Sequence, residues 1–179
     1  MNLQELQTAF NKSHILASVL IRDCKFFGEE TAFSDPKYLP FYFHLKEIFK
    51  PKNVLNVNFS KFGLKEICLY SDVIESYAGI CRKFDLETKW GIQNIKKITG
   101  KEIKLSDSLN FNEKFDVILC DDPSYAKKEI ENLWNLLSYN GVLVVENTYK
   151  NEDFELLSFI VNREAVIFES RYNVGAIQR

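Results

Sequence analysis

Short apolar runs that alternate with segments of helical spacing constrain this chain more than any other feature. The run FDVILC at residues 115–120 is apolar at nearly every position, which is typical of a strand buried on both faces of a sheet. Helical spacing precedes this run at residues 85–98 and follows it at residues 124–141. Strands that alternate with helices indicate a mostly parallel sheet covered on both faces.

Seven strands are predicted in all. The first five lie in runs rich in β-branched and other apolar residues, at 53–60, 76–82, 101–108, 115–120 and 141–148. The last two, AVIFES and NVGAIQR, are separated by Arg171 and Tyr172, which predicts an antiparallel hairpin at the edge of the sheet.

Further helices are predicted at residues 41–49, 63–75 and 152–162, and one or two more within residues 4–21. Asp85 is the predicted N-cap of the helix at 85–98, and Gly100 its C-terminal stop. The 179 residues are predicted to form one domain, with a helical lead-in at 1–50 and an α/β core at 51–179.

Composition excludes several partners. A net charge of −2 gives no electrostatic reason to expect a nucleic acid or an anionic membrane as a partner. The N-terminal residues lack the basic segment and apolar core of a signal peptide, and no stretch approaches 18 uncharged apolar residues. The four cysteines are widely spaced and form no zinc-binding pattern, which indicates reduced thiols. We therefore expect a cytoplasmic protein.

The candidate chemistry lies where predicted strands end, because open parallel sheets bind ligands at the carboxyl ends of their strands. Asp121 and Asp122 follow the fourth strand and could bind a metal or accept a substrate proton. The alternative is that Asp-Asp-Pro-Ser forms a turn in which Asp122 or Ser124 caps the next helix. Glu146 could add a third carboxylate from the fifth strand.

The stretch FDVILCDDPSYAKKEIENLWNLLSYNGVLVVENT, residues 115–148, resembles the fourth strand, following helix and fifth strand of class I S-adenosylmethionine-dependent methyltransferases. It is most similar to the small-molecule O-methyltransferase pattern, and the tail VGAIQR resembles that family's last strand. The positions that match are Asp122, Ser124, Tyr125 and Gly141, whereas Cys120, Pro123 and Asn140 depart from the pattern. The resemblance covers roughly residues 40–179 and implies a Rossmann-like α/β fold with a mostly parallel seven-stranded sheet, a C-terminal antiparallel hairpin and N-terminal helices.

The resemblance also implies a cofactor side. Asn56, Asn58 and Phe62 stand where the family has an acid and two glycines, so side chains would crowd the loop that approaches the cofactor. Arg82 stands near the family's ribose-binding acid, although an arginine can only donate hydrogen bonds. Asp107 matches the acid that often lies near the adenine. The S-adenosylmethionine contacts implied are Asn56, Asn58, Ser60, Gly63, Arg82 and Asp107.

On the catalytic side, the resemblance makes Asp122 the candidate general base, with Asp121 beside it. Cys120 occupies the place of an aspartate that a metal-dependent site would use, so no metal is predicted. His44 is a minor candidate for a base, and packing or surface roles are the default for both histidines.

Three functions follow. The first is methyl transfer from S-adenosylmethionine to a small molecule or a sugar. The second is a catalytically inactive protein that keeps the fold and serves as a subunit or scaffold, in a homo-oligomer or a larger complex. The third is a transferase or a binder for another ligand that bears a phosphate or a carboxylate, using Arg82.

Overall fold

The computed structural model describes residues 2–12, 38–57, 59, 69, 73–81, 84–149, 152–169 and 173–179. In these ranges the strands are β1 (Asn53–Asn56), β2 (Ser76–Ile80), β3 (Lys104–Ser106), β4 (Phe115–Cys120), β5 (Leu137–Glu146), β6 (Ala165–Phe168) and β7 (Val174–Gln178). They form one sheet in the order β3-β2-β1-β4-β5-β7-β6. The first five strands are parallel, and β7 runs antiparallel to both β5 and β6. The predicted α/β architecture with its C-terminal hairpin is confirmed.

The helices of the described ranges are α1 (Leu3–Lys12), α2 (Tyr38–Phe49), α3 (Leu86–Thr99), α4 (Pro123–Lys128), α5 (Ile130–Leu136) and α6 (Glu152–Val161). The predicted ends of α3 are confirmed. Asp85 Oδ1 accepts a hydrogen bond from the Thr88 backbone N–H at 2.8 Å, and Gly100 ends the helix in the left-handed conformation with φ of 70°. The predicted helix at 63–75 lies almost entirely outside the described residues.

Two apolar layers cover the sheet, one on each face. On one face, α1 and α2 pack over side chains such as Val54, Val117 and Phe168. On the other, α4, α5 and α6 pack over Leu55 and Ile118. Neighbouring residues of β1 and β4 thus point to opposite layers, as the two-residue period of a strand requires. This explains why the apolar run of β4 is continuous.

The predicted helix at 124–141 is confirmed as far as Leu136 and wrong beyond it. Helix α4 is followed by α5, which ends at Leu136, and β5 begins at Leu137 rather than at Gly141. Leu137 is buried and pairs with Phe115, after which the register jumps so that Val117 pairs with Val142. Burial of Leu137 against the sheet overrides the helical spacing at these positions.

The turn inside β5 explains the residues at positions 140 and 141. Asn140 has φ of 65°, a conformation that asparagine tolerates better than most residues. A Cβ on Gly141 would lie 3.0 Å from the Ser138 carbonyl oxygen and 3.1 Å from that of Phe115. Asn140 therefore forms the turn without a glycine, whereas a larger residue at Gly141 would push the backbones apart.

The predicted helical lead-in is confirmed at residues 3–12 and 38–49, and its remainder lies outside the described residues. In the described part of the chain, no helix is long and apolar enough to cross a membrane. Of the cysteines, Cys81 and Cys120 form no disulfide within the described residues, while Cys24 and Cys68 fall outside the described ranges.

Candidate functional site

Polar residues lie at the carboxyl ends of four of the five parallel strands, along one edge of the sheet. In spatial order they are Asp107 after β3, Asn56 at the end of β1, Asp121 and Asp122 after β4, and Glu146 at the end of β5. The Val57 backbone N–H donates to the Leu119 carbonyl at 2.9 Å, which holds the ends of β1 and β4 side by side. The sheet order therefore brings the predicted catalytic and cofactor sides to a single edge.

Asp122 is the N-cap of α4. Its Oδ1 accepts hydrogen bonds from the backbone N–H groups of Ser124 at 3.0 Å and Tyr125 at 3.3 Å. Pro123 occupies the first helical turn, where its missing N–H leaves no donor unsatisfied. The side chain is exposed, and its Oδ2 makes no hydrogen bond to the described part of the chain. Capping by Asp122 is thus observed, and one carboxylate oxygen stays available for chemistry.

Asp121 and Asn147 join the ends of β4 and β5. The Asn147 side-chain amide donates to the Asp121 carbonyl at 2.9 Å, and Asn147 has φ of 58°. This left-handed residue turns the chain away from the sheet directly after Glu146. Asp121 itself is half-buried, so its carboxylate is less accessible to a substrate than that of Asp122.

Glu146 is buried at the end of β5, and its Oε1 accepts a hydrogen bond from the Tyr42 hydroxyl. Tyr42 belongs to α2, so the helical lead-in supplies a side chain to the edge of the core. No local pattern indicates this contact, because 104 residues separate the two partners and Tyr42 matches only the apolar spacing of a packed helix. A buried carboxylate needs such a donor, since burial without one is costly.

Helix α4 is tied to α6 through Asp153. The Lys127 ammonium donates to Asp153 Oδ1 at 2.6 Å, and the Ser124 hydroxyl donates to Oδ2 at 2.7 Å. The hydrogen bond from Lys127, together with that from Ser124, lowers the pKa of the Asp153 carboxyl. Ser124 thus serves the helix pair, and the cap of α4 comes from Asp122.

On the cofactor side, Asn56 and Asp107 are the predicted residues that the structure describes. Asn56 is fully buried, so a ligand could touch it only after neighbouring side chains move. Asp107 is exposed directly after β3, and the Cys81 N–H donates to the Ser106 carbonyl at 2.9 Å, which sets Asp107 beside the end of β2. Asn58, Ser60, Gly63 and Arg82 lie outside the described residues and stay predictions.

Metal-ligating residues do not gather in the described ranges: they contain no group of three or more His, Cys, Asp and Glu side chains that could hold an ion. Cys120 is buried, and its thiol lies 3.3 Å from the Asp122 carbonyl, which fits a packing role. His44 lies on α2 next to the Phe43 ring, and burial lowers its pKa although Glu47 opposes this.

No family model matches the sequence, and a comparison with curated proteins found no match. Solved structures do match. A Staphylococcus aureus protein assigned as a caffeoyl-CoA O-methyltransferase aligns with a TM-score of 0.71 at 17% identity, covering 99% of this chain and 97% of that chain. An O-methyltransferase from Bacillus cereus in complex with S-adenosylhomocysteine gives 0.66 at 12%, covering 97% and 96%. The S-adenosylhomocysteine-bound Podospora anserina methyltransferase PaMTH1 gives 0.66 at 15%, covering 95% and 91%.

These likenesses establish the class of fold. The chain has the α/β fold of class I S-adenosylmethionine-dependent methyltransferases over nearly its whole length. Two of these neighbours hold S-adenosylhomocysteine, the product that remains when S-adenosylmethionine gives up its methyl group. The resemblance drawn from residues 115–148 is confirmed at the level of the fold.

At the end of β3, Asp107 presents an exposed carboxylate to a ligand. The exposed Asp107 carboxylate can accept hydrogen bonds from an adenine amino group or a ribose hydroxyl. Gly79 on β2 does not open space for a ligand, because a Cβ there would meet the Leu105 and Phe59 side chains at 3.1 and 3.2 Å. Gly79 therefore serves packing inside the sheet.

Proposed function

We propose that this protein is a methyltransferase that moves a methyl group from S-adenosylmethionine to a hydroxyl of a small molecule or a sugar. The observation that carries the proposal is the placement of Asp122, with an available Oδ2, on the same sheet edge as Asp107. The methyltransferase fold of the solved neighbours supports the same reaction class.

Asp122 is the proposed base. Its Oδ1 is fixed by two backbone N–H groups, which orients the carboxylate without occupying Oδ2. As the acceptor hydroxyl attacks the methyl carbon, Oδ2 would take the hydroxyl proton, so the neutral ether forms without a charged oxygen. Asp121 would hold the loop in place through its carbonyl bond to Asn147.

Asp107 is the proposed cofactor contact among the exposed described residues. Asn58, Ser60, Gly63 and Arg82 stay the contacts predicted from the sequence, and Asn56 would join them only if its neighbouring side chains move. When bound, S-adenosylmethionine supplies an activated methyl group on a sulfonium. The residues of the chain hold the two reactants in line, and positioning of this kind supplies much of the rate in a bimolecular transfer.

Isothermal titration with S-adenosylmethionine and S-adenosylhomocysteine tests the proposal. We expect micromolar binding, a rise in melting temperature with either ligand because the ligand binds only the native state, and weaker binding by Asp107→Ala. Glu164→Ala is the matched control, since Glu164 is exposed just before β6, at the opposite edge of the sheet. Absence of binding by the wild-type protein would overturn the proposal.

A scaffold without a cofactor is the second candidate, and the exposed apolar side chains favour it. Leu86 is 79% exposed, and Trp90 and Phe84 are about as exposed as many polar residues, at 60% and 58%. Exposed apolar side chains that form one continuous patch mark interaction sites, and Leu86 and Trp90 are one helical turn apart. The titration separates the two candidates, because a scaffold that lost the cofactor gives no heat of binding while it still assembles with a partner.

A further inference from the structure

Helix α6 presents an apolar stripe that the fold does not cover. Phe154 and Leu157 are buried on the face of the helix that packs against the sheet. On the opposite side Phe159 is 84% exposed, Ile160 50% and Leu156 44%. Residues at positions i, i+3 and i+4 lie on one helical face, so these three side chains form one surface, here called the α6 stripe.

We infer that the α6 stripe binds a second copy of this chain, with the two α6 helices antiparallel across a two-fold axis. The inference does not depend on the proposed methyl transfer. An interface between identical copies must be self-complementary, because each residue that contacts a partner residue is contacted by it in turn. Leu156 and Phe159 of the stripe, together with the charges at its ends, meet this condition.

Two of the three stripe residues, Leu156 and Phe159, are symmetric about the helix centre, whereas Ile160 lies opposite Glu155 of the other copy. A two-fold axis that passes between Leu157 and Ser158 places Leu156 of one copy against Phe159 of the other, and the reverse. A large aromatic side chain would then fill the space beside a smaller aliphatic one at two equivalent places. Exposed aromatic residues at the centre of an interface commonly carry most of its binding energy.

The charges complete the symmetry. Glu152 begins α6 and Arg163 lies directly past its end, and both side chains are exposed. The axis that pairs Leu156 with Phe159 also pairs Glu152 of one copy with Arg163 of the other. Within one copy, these two charges lie about 16 Å apart along the helix axis. Antiparallel packing also sets the positive end of each helix dipole near the negative end of the other.

The size of the stripe suits the centre of a dimer interface. Its three side chains expose on the order of 300 Å² of apolar surface, against roughly 800 Å² that each partner buries in a standard interface. An apolar centre within a larger polar rim is the usual anatomy of such interfaces. Glu152, Glu155 and Arg163 supply polar rim residues on α6 itself.

Sedimentation velocity on the full chain tests the inference. We expect a concentration-dependent dimer, and at least about a thirtyfold weaker dissociation constant for Phe159→Asp. Tyr139→Asp is the matched control, since Tyr139 is 87% exposed in the turn of β5 and should leave the dimer unchanged. A monomeric wild-type protein, or a dimer that survives Phe159→Asp, would overturn the inference.

Charge reversal tests the antiparallel geometry. Glu152→Arg and Arg163→Glu should each weaken the dimer several-fold, because each places like charges together at two equivalent positions. The double variant should restore it. If the double variant stays as weak as the single ones, the two residues do not face each other and the proposed axis is wrong. Melting curves confirm that each variant is folded.

Discussion

The two halves of the carboxyl edge differ in how their polar groups are used. On the β4 and β5 half, Asp122 caps a helix, Asn147 holds the Asp121 carbonyl, and Tyr42 donates to Glu146. On the β1 to β3 half, Asn56 is buried and Asp107 is exposed to solvent. The half proposed for catalysis is therefore also the half that holds the structure together, and a substitution there can act on activity, on stability or on both.

The largest effect is expected at Asp122, where a substitution can separate helix capping from the proposed role as a base. Asparagine caps helices as well as aspartate, so Asp122→Asn should keep the melting temperature while it removes the base. We expect release of S-adenosylhomocysteine, measured over a panel of hydroxyl-bearing small molecules and sugars, to fall by about 100-fold or more. Asp122→Ala should lose the same activity and also about 1 kcal/mol of stability. If Asp122→Asn stays active, Asp122 is a cap and not a base.

The next largest effect is expected at Asp107, on the β1 to β3 half of the carboxyl edge. Asp107→Ala removes an exposed carboxylate without removing a structural contact, so the free energy of unfolding should not change. Loss of a charged hydrogen-bond acceptor should weaken S-adenosylmethionine binding by about tenfold or more in titration calorimetry. A destabilised variant with unchanged affinity would reverse the assignment of roles between the two halves.

Tyr42→Phe is expected to act on stability. The substitution takes a donor from the buried Glu146 carboxylate and should cost about 1–3 kcal/mol in urea unfolding. Tyr139→Phe, at an exposed hydroxyl in β5, is the control and should have no effect. An equally stable Tyr42→Phe protein would show that the contact between α2 and β5 contributes little.

The smallest effect concerns the contact between α4 and α6. Because the folded-state pKa of Asp153 is lowered, its ion pair contributes stability above the ordinary carboxyl range and loses it as pH falls through the lowered pKa. Asp153→Asn should therefore melt slightly below the wild type at neutral pH, and the two should converge in acid. A difference that grows towards acid pH would contradict this assignment.

Prediction from the sequence succeeded where local chemistry decides the structure. Asp85 and Gly100 end α3 as expected, and the apolar run at 115–120 is β4. It failed at residues 137–140, where helical spacing continued but burial of Leu137 beside Phe115 produced a strand. Long-range pairing of this kind leaves no trace in nearby residues.

In the candidate site, too, local features were predictable from the sequence and long-range contacts were not. Asp122 was identified with both of its alternatives, and one of them, the helix cap, is observed. The Tyr42 contact could not be inferred, because its partner is distant in sequence. The buried state of Asn56 was equally hidden, since it depends on the packing of the whole sheet above β1.

The position of β7 between β5 and β6 has a consequence for synthesis on the ribosome. Residues 174–178 emerge after both of their neighbours, so β5 presents an unpaired edge and β6 has no strand to join until then. The late strand must also fit closely, since a Cβ at Gly175 would overlap the Phe154 ring of α6. Unpaired edges of this kind attract other nascent chains. Pauses in translation after β5 is complete and before residue 174 is added should therefore raise the demand for chaperones more than pauses before β5.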